Sequence, residues 1–276
     1  MGKEKGHVGR NVDLQIQIET MTTTKYLKFA VDNLNYSIKF RRDFHQYPEL
    51  GFQENRTSEI IARELESNGY EVSRFIGKTG VIGILKGNSN GPTILLRFDM
   101  DALPIVEENS TDYISKNHGV MHACGHDGHM AIGLTVAKIL SELRDNIQGT
   151  IKFIFQPAEE GLGGALATIL DGVLKNPKPD FVLGLHLWNE KPIGWFGINN
   201  GPMMAGSDTF EINIIGKGGH GGLPHKAIDP IVTAAQIIQA VQTIVSRNVS
   251  PLESAVISFG SIHGGTAFNI IPEVVK

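Results

Sequence analysis

From Lys25 onward, apolar residues recur every three or four positions. Leu27, Val31, Leu34 and Ile38 fall on one face, which predicts a helix to about Arg42, with Pro48 as the stop. A second helix is predicted from about Glu54 to Ser67, where Asn68-Gly69 supplies a C-terminal signal. The period then changes. "GVIGILKG" and "TILLRF" are apolar runs of strand length, and the second is too apolar to be half exposed, so it belongs in the middle of a sheet. An amphipathic helix over Met130–Leu143 follows, then the strand "GTIKFIF", a glycine-rich helix start near Gly161 and the strand "FVLGLHL". Strands alternating with helices in this way predict an α/β fold with an open, largely parallel sheet.

After "NNGPMMAGS" the texture is different. "DTFEINIIG" alternates like a half-exposed antiparallel strand, "AIDPIVTAAQIIQAVQTIVSR" reads as a long helix, and "SAVISFGSI" as another strand. Residues 206–276 are therefore expected to form a smaller α+β domain, behind a larger α/β domain over residues 21–205. The closing "IIPEVVK" reads as the approach to a further strand, so the chain is expected to be cut short within the smaller domain. Residues 1–20 open with basic charge but lack the apolar core and cleavage site of a signal peptide; they are expected to be a disordered extension.

Composition narrows the partner class. Of 276 residues, 41% are hydrophobic and 20% charged, as in globular proteins. A net charge of −4 provides no basic footprint for nucleic acid and no polybasic membrane patch, and no apolar run is long enough to span a bilayer. A small molecule is the remaining default. The single cysteine cannot form an internal disulfide, which favours a cytoplasmic setting.

That cysteine stands in "HACGHDGH", residues 122–129. As a nucleophile Cys124 would need a base held by a third group, and its flanks carry no cysteine-hydrolase signature. An inert buried thiol would sit more often in an apolar run. Metal ligation together with His126 fits best, because thiolate, imidazole and carboxylate suit Zn, and also Mn, Co or Ni. Open α/β sheets bind ligands beyond the carboxyl ends of their strands. Here "TILLRF" runs into Asp99 and Asp101, "TIKFIFQP" into Glu159 and Glu160, and "FVLGLH" ends in His186. Two carboxylates on adjacent residues of a turn point differently, so one can ligate while the other takes a proton from activated water.

In order along the chain, "RRDFHQYPELGFQE", "LLRFDMDALP", "MHACGHDGH", "FQPAEEG", "GLHLWN" and "GKGGHGGLPH" resemble the successive motifs of the M20 metallopeptidases. The match is to their amidohydrolase branch of aminoacylase-like, hippurate-hydrolase-like and indoleacetyl-amino-acid hydrolases, and runs from about Tyr26 to the last residue. The resemblance implies two divalent ions (Mn, Zn, Co or Ni), with Cys124, His126, Glu160 and His186 as ligands and Glu159 as general base. It implies that Asp101 orients a ligand, that His220 holds the substrate and polarises its carbonyl, and that Asn269 faces the substrate. Asp99 stands where other branches place a histidine ligand, and a supporting role is expected of it. The implied reaction is metal-dependent hydrolysis of N-acyl or N-aroyl amino acids to a carboxylic acid and a free amino acid. The alternatives are a dipeptidase or carboxypeptidase on the same scaffold, or a non-catalytic metal-binding fragment. The family's smaller domain is an inserted, ferredoxin-like dimerisation domain, which implies a homodimer, and a last histidine ligand near the family's C-terminus has no counterpart in this chain. Of the other histidines, His45 is expected to cap or pack, His118 to lie at the surface, and His122 and His129 to flank and orient the loop.

Overall fold

The computed structural model describes residues 25–276, so the extension expected over residues 1–20 lies outside the described residues. The chain divides into two compact units between Gly194 and Trp195.

In the first unit, the helix predicted from Lys25 is two, over residues 25–32 (α1) and Leu34–Gln46 (α2). Asn33 marks the join, where its side-chain amide donates at 3.0 Å to the Phe29 carbonyl that its own backbone amide also reaches at 3.2 Å. Helix α3 spans Asn55–Ser67 and ends where the Asn68 side chain donates to the Glu64 carbonyl. Five strands follow: β1 (Glu71–Ile76), β2 (Gly80–Lys86), β3 (Ser89–Asp99), β4 (Gln148–Gln156) and β5 (Phe181–Gly184). Helix α4 (His126–Glu142) lies between β3 and β4, and α5 (Gly164–Leu170) between β4 and β5. The pattern had not announced β1, an edge strand with every second residue only half-buried.

The strand order is β1-β2-β4-β3-β5. The sheet expected to be largely parallel is mixed: β1–β2 and β2–β4 are antiparallel, while β4–β3 and β3–β5 are parallel. The reason lies in the connections. Short turns after β1 and β2 can only reverse the chain, whereas the α4 and α5 crossovers return it in the same direction. In the parallel half Asp99 pairs with Gln156, and Arg97 with Gly184. The carboxyl ends of β3, β4 and β5 therefore leave the sheet along one rim.

Helices α2, α3 and α4 cover one face. Phe40, Phe44, Ile61, Leu65, Met130 and Leu134 pack with Val81, Leu85, Phe98, Phe153 and Phe155 in a single core. Each such side chain contributes about 1.5–3 kcal/mol when fully buried. Gly133 allows α4 to approach this closely, since a Cβ there would lie 2.9 Å from the rings of both Phe98 and Phe155. A smaller cluster of Ile82, Leu95, Ile154 and Val173 fills the opposite face.

In the second unit, α6 (Pro230–Thr243) starts with Asp229 accepting the Ile231 amide at 2.8 Å and with Pro230 in its first turn. Two short antiparallel ladders accompany it. β6 (Ile214–Ile215) pairs with β9 (Val274–Val275), and β7 (Gly219–His220) with β8 (Ile270–Ile271). The longer strands predicted over residues 208–216 and 254–262 form only at Ile214–Ile215. The two segments instead flank a cleft of about 450 Å³ floored by Ile237 and Ile238, bridged by an edge-to-face contact of Phe210 with Phe259.

Candidate metal centre

Gly125 adopts the left-handed conformation (φ 84°) and turns the chain into α4, so the helix begins at His126 rather than at Met130. His126 is thereby buried beneath the rim formed by the strand ends. Its Nδ1 lies 2.8 Å from the Asp101 carbonyl oxygen, which places a proton on Nδ1 and, in the neutral ring that a metal ion requires, leaves Nε2 as an acceptor. That Nε2 is buried without a hydrogen-bond partner among the described residues, 3.9 Å from Glu160 Oε1, which is itself buried and unpartnered. Two desolvated acceptors facing one another are costly unless something positive comes between them.

A second pair closes the site. Cys124 Sγ lies 3.4 Å from His186 Nε2, and His186 Nδ1 donates to the Leu187 carbonyl at 2.6 Å, again leaving Nε2 as an acceptor. Candidate ligand atoms of Cys124, His126 and His186 lie within 4.8 Å of one another, as do those of His126, Glu159 and Glu160. The four residues that the sequence offered as ligands, and the offered base, are thus brought together, with His126 common to both groups. The donor set of sulfur, imidazole and carboxylate fits a Zn-like divalent ion. Burial first, then the charge of Glu160, pushes the Cys124 thiol up to about 12. An activated nucleophile shows the opposite shift. A divalent cation among these groups would reverse it and hold the thiolate.

Asp101 touches both halves. Its Oδ1 is 3.3 Å from His126 Nδ1, and its Oδ2 accepts the Glu160 amide at 2.9 Å. Burial alone would raise its pKa; the His126 bond and the Glu159 and Glu160 amides outweigh that and hold it low. Asp99, buried beside it, accepts from His129 Nδ1 and pairs with Arg97 at 2.7 Å. Against the upward effect of burial, the His129 bond and the charges of His126 and Arg97 bring it to about 2. His129 Nε2 accepts the Leu187 amide at 2.9 Å, which ties the residue after His186 to α4.

His45 neither caps α2 nor merely packs. Its Nδ1 meets Asp127 Oδ2 at 2.7 Å and its Nε2 meets Glu107 Oε1 at 2.9 Å, while Arg41 also reaches Asp127 at 3.0 Å. The Asp127 bond chiefly raises its pKa, and the Glu107 bond adds to this. Sequence reasoning missed this network, although Arg41 and His45 at i and i+4 on one helix face were a signal. His122 is buried with neither ring nitrogen partnered among the described residues, and burial lowers it to about 4, so it is neutral at pH 7. His118 is exposed.

In the second unit, His220 is exposed on β7 opposite Ile270 of β8, and the Gly221 amide donates to the Asn269 carbonyl at 2.8 Å, so the two expected substrate residues are neighbours. His220 Nδ1 accepts the Gly222 amide at 3.0 Å, which places the proton of the neutral ring on Nε2.

Residues 95–275 match the sequence profile of Peptidase family M20/M25/M40. The chain is 49% identical to hippurate hydrolase of Campylobacter jejuni, over 86% of this chain and 61% of that protein. It is 48% identical to N-acyl-L-amino acid amidohydrolase of Geobacillus stearothermophilus, over 92% of this chain and 69% of that protein. A crystal structure of a dinuclear metal-binding M20 peptidase from Bacillus subtilis superimposes with a TM-score of 0.65 and 38% identity, covering 87% of this chain and 61% of that one. The chain thus spans about three fifths of the length of such relatives.

Proposed function

Because the chain belongs to Peptidase family M20/M25/M40, we propose that it serves metal-dependent hydrolysis of N-acyl or N-aroyl amino acids, releasing a carboxylic acid and a free amino acid. The observation that carries this reading is the pair of buried, unpartnered atoms His126 Nε2 and Glu160 Oε1, set beside Cys124 and His186. Similarity to a hippurate hydrolase and an N-acyl-L-amino acid amidohydrolase supports the substrate class.

In this reading Cys124, His126, Glu160 and His186 hold two divalent ions of the Mn, Zn, Co or Ni type, with Asp101 orienting His126 and Glu160. Bound ions of this kind polarise an amide carbonyl and acidify water. Glu159, exposed at the same turn, takes the proton of the attacking water and passes it to the leaving amine nitrogen. His220 donates from Nε2 to the developing oxyanion, and Asn269 holds the substrate beside it. The second unit serves as an inserted, ferredoxin-like dimerisation domain, so the working state is a homodimer, and the single cysteine favours a cytoplasmic setting.

The test is release of free amino acid by the full-length protein from N-acetyl and N-benzoyl amino acids and from dipeptides, with each ion added in turn. Faster turnover of the acyl amino acids supports the proposal. Turnover of dipeptides alone replaces it with a peptidase, and no turnover with any ion replaces it with a non-catalytic metal-binding role.

A further inference from the structure

Glu54 is completely buried, and among the described residues its hydrogen-bond partners are a hydroxyl and an amide, with no cation. Its Oε2 accepts the Thr79 hydroxyl at 2.5 Å and its Oε1 accepts the Ala158 amide at 2.9 Å. Burial raises its pKa, and the Thr79 hydroxyl with the backbone amides of Glu54, Ala158 and Phe52 works against that rise. Ala158 immediately precedes Glu159 and holds a φ of 51°, in the left-handed region that a residue with a Cβ rarely adopts. Its carbonyl accepts the Gly164 amide at 3.0 Å, and Gly51 packs so closely that a Cβ there would lie 3.1 Å from the Ala158 methyl. The segment "PELGFQE" is therefore a mould for the turn "PAEEG".

The turn is gripped at two points. Glu54 takes the amide before Glu159 and Asp101 takes the amide of Glu160, so Glu159 stands between two fixed backbone positions. An unfavourable conformation persists only where its surroundings over-determine it. We propose that Glu54 is a positioning residue: its carboxylate holds Ala158 left-handed, and that conformation sets the turn from which Glu159, exposed, and Glu160, half-buried, both bring a carboxylate to the site of His126. The inference rests on the reading of Glu159 as base and Glu160 as ligand, and it makes Glu54 a determinant of rate without contact with substrate.

The experiment compares Glu54→Ala, Glu54→Gln, Ala158→Gly and the Glu54→Ala/Ala158→Gly double variant in the full-length protein. The readouts are kcat and KM on an N-acyl amino acid, and Co²⁺ affinity followed by the visible spectrum of the bound ion. Glu54→Ala is expected to lower kcat about 100-fold with KM within about threefold, the scale of a displaced catalytic group. It is also expected to weaken Co²⁺ binding by about tenfold, as when a residue supporting a ligand is lost. Glu54→Gln keeps an oxygen for the Ala158 amide and stays within about tenfold of wild type. Glycine adopts positive φ freely, so Ala158→Gly placed in the Glu54→Ala background restores kcat and Co²⁺ affinity by about tenfold.

Wild-type kcat in Glu54→Ala overturns the proposal, and so does an equal loss in the single and double variants. Should Glu54→Ala fail to fold, Glu54→Asp takes its place. The shorter acid withdraws the acceptor but keeps the charge, and a loss that Ala158→Gly does not relieve is again fatal. Glu159→Gln runs alongside. If it retains turnover, the reading of Glu159 fails while the Co²⁺ titration still decides on Glu54; if it is inactive and Glu54 and Ala158 are uncoupled, the positioning role alone fails.

Discussion

At the scale of single residues, the site is a set of proton positions. His126 and His186 each give their Nδ1 proton to a backbone carbonyl and keep Nε2 as an acceptor, which readies both rings for a cation before one arrives. Glu159→Gln should retain metal and lose turnover by about 10²–10⁴-fold, measured as kcat beside metal content. Cys124→Ser should lower metal affinity by at least about tenfold, read by competition with a chelator, because a serine hydroxyl does not replace a thiolate. The donor types were legible in the sequence because metals select for them. Glu54 and Asp127 were not, since their partners Ala158 and His45 lie far away along the chain and only folding joins them.

At the scale of elements, the rim depends on how α2 and α4 are tied. His45 on α2 reaches Asp127 in the first turn of α4 and Glu107 in the loop between β3 and α4. Its pKa is raised in the folded state, so its stabilisation is full below the unfolded value of about 6.5 and is lost as pH rises through the folded value. Asp127 and Glu107 are lowered, against burial, chiefly by their bonds to His45, so their stabilisation is lost as pH falls through their folded values. The stability difference between wild type and His45→Gln should therefore peak near pH 5–6 and shrink toward both pH 3 and pH 9 in denaturant melts. The helices were legible because each buries a stripe with the 3.6-residue period. Sheet direction was not, because it depends on whether a connection reverses or crosses over, and apolar runs such as "GVIGILKG" look the same in either case.

At the scale of the whole molecule, the chain divides into two compact units between Gly194 and Trp195, while the change of texture along the sequence places the start of a smaller domain at residue 206. The smaller unit was harder to read, because residues 208–213 and 254–262 alternate like strands while facing a cleft instead of a partner. Ions held by the native site and not by the unfolded chain should stabilise the protein by about 2.7 kcal/mol at a hundredfold excess over Kd. That corresponds to a rise of roughly 5–10 °C in melting temperature, reversed by a chelator and checked by calorimetry. The central claim is that sulfur, imidazole and carboxylate from separate segments surround shared ions at one rim. Anomalous X-ray diffraction from crystals of the Zn- or Co-loaded protein tests it most directly. The account predicts metal peaks within about 2.0–2.3 Å of Cys124 Sγ, His126 Nε2, His186 Nε2 and a Glu160 oxygen; peaks bonded to none of these atoms would contradict it.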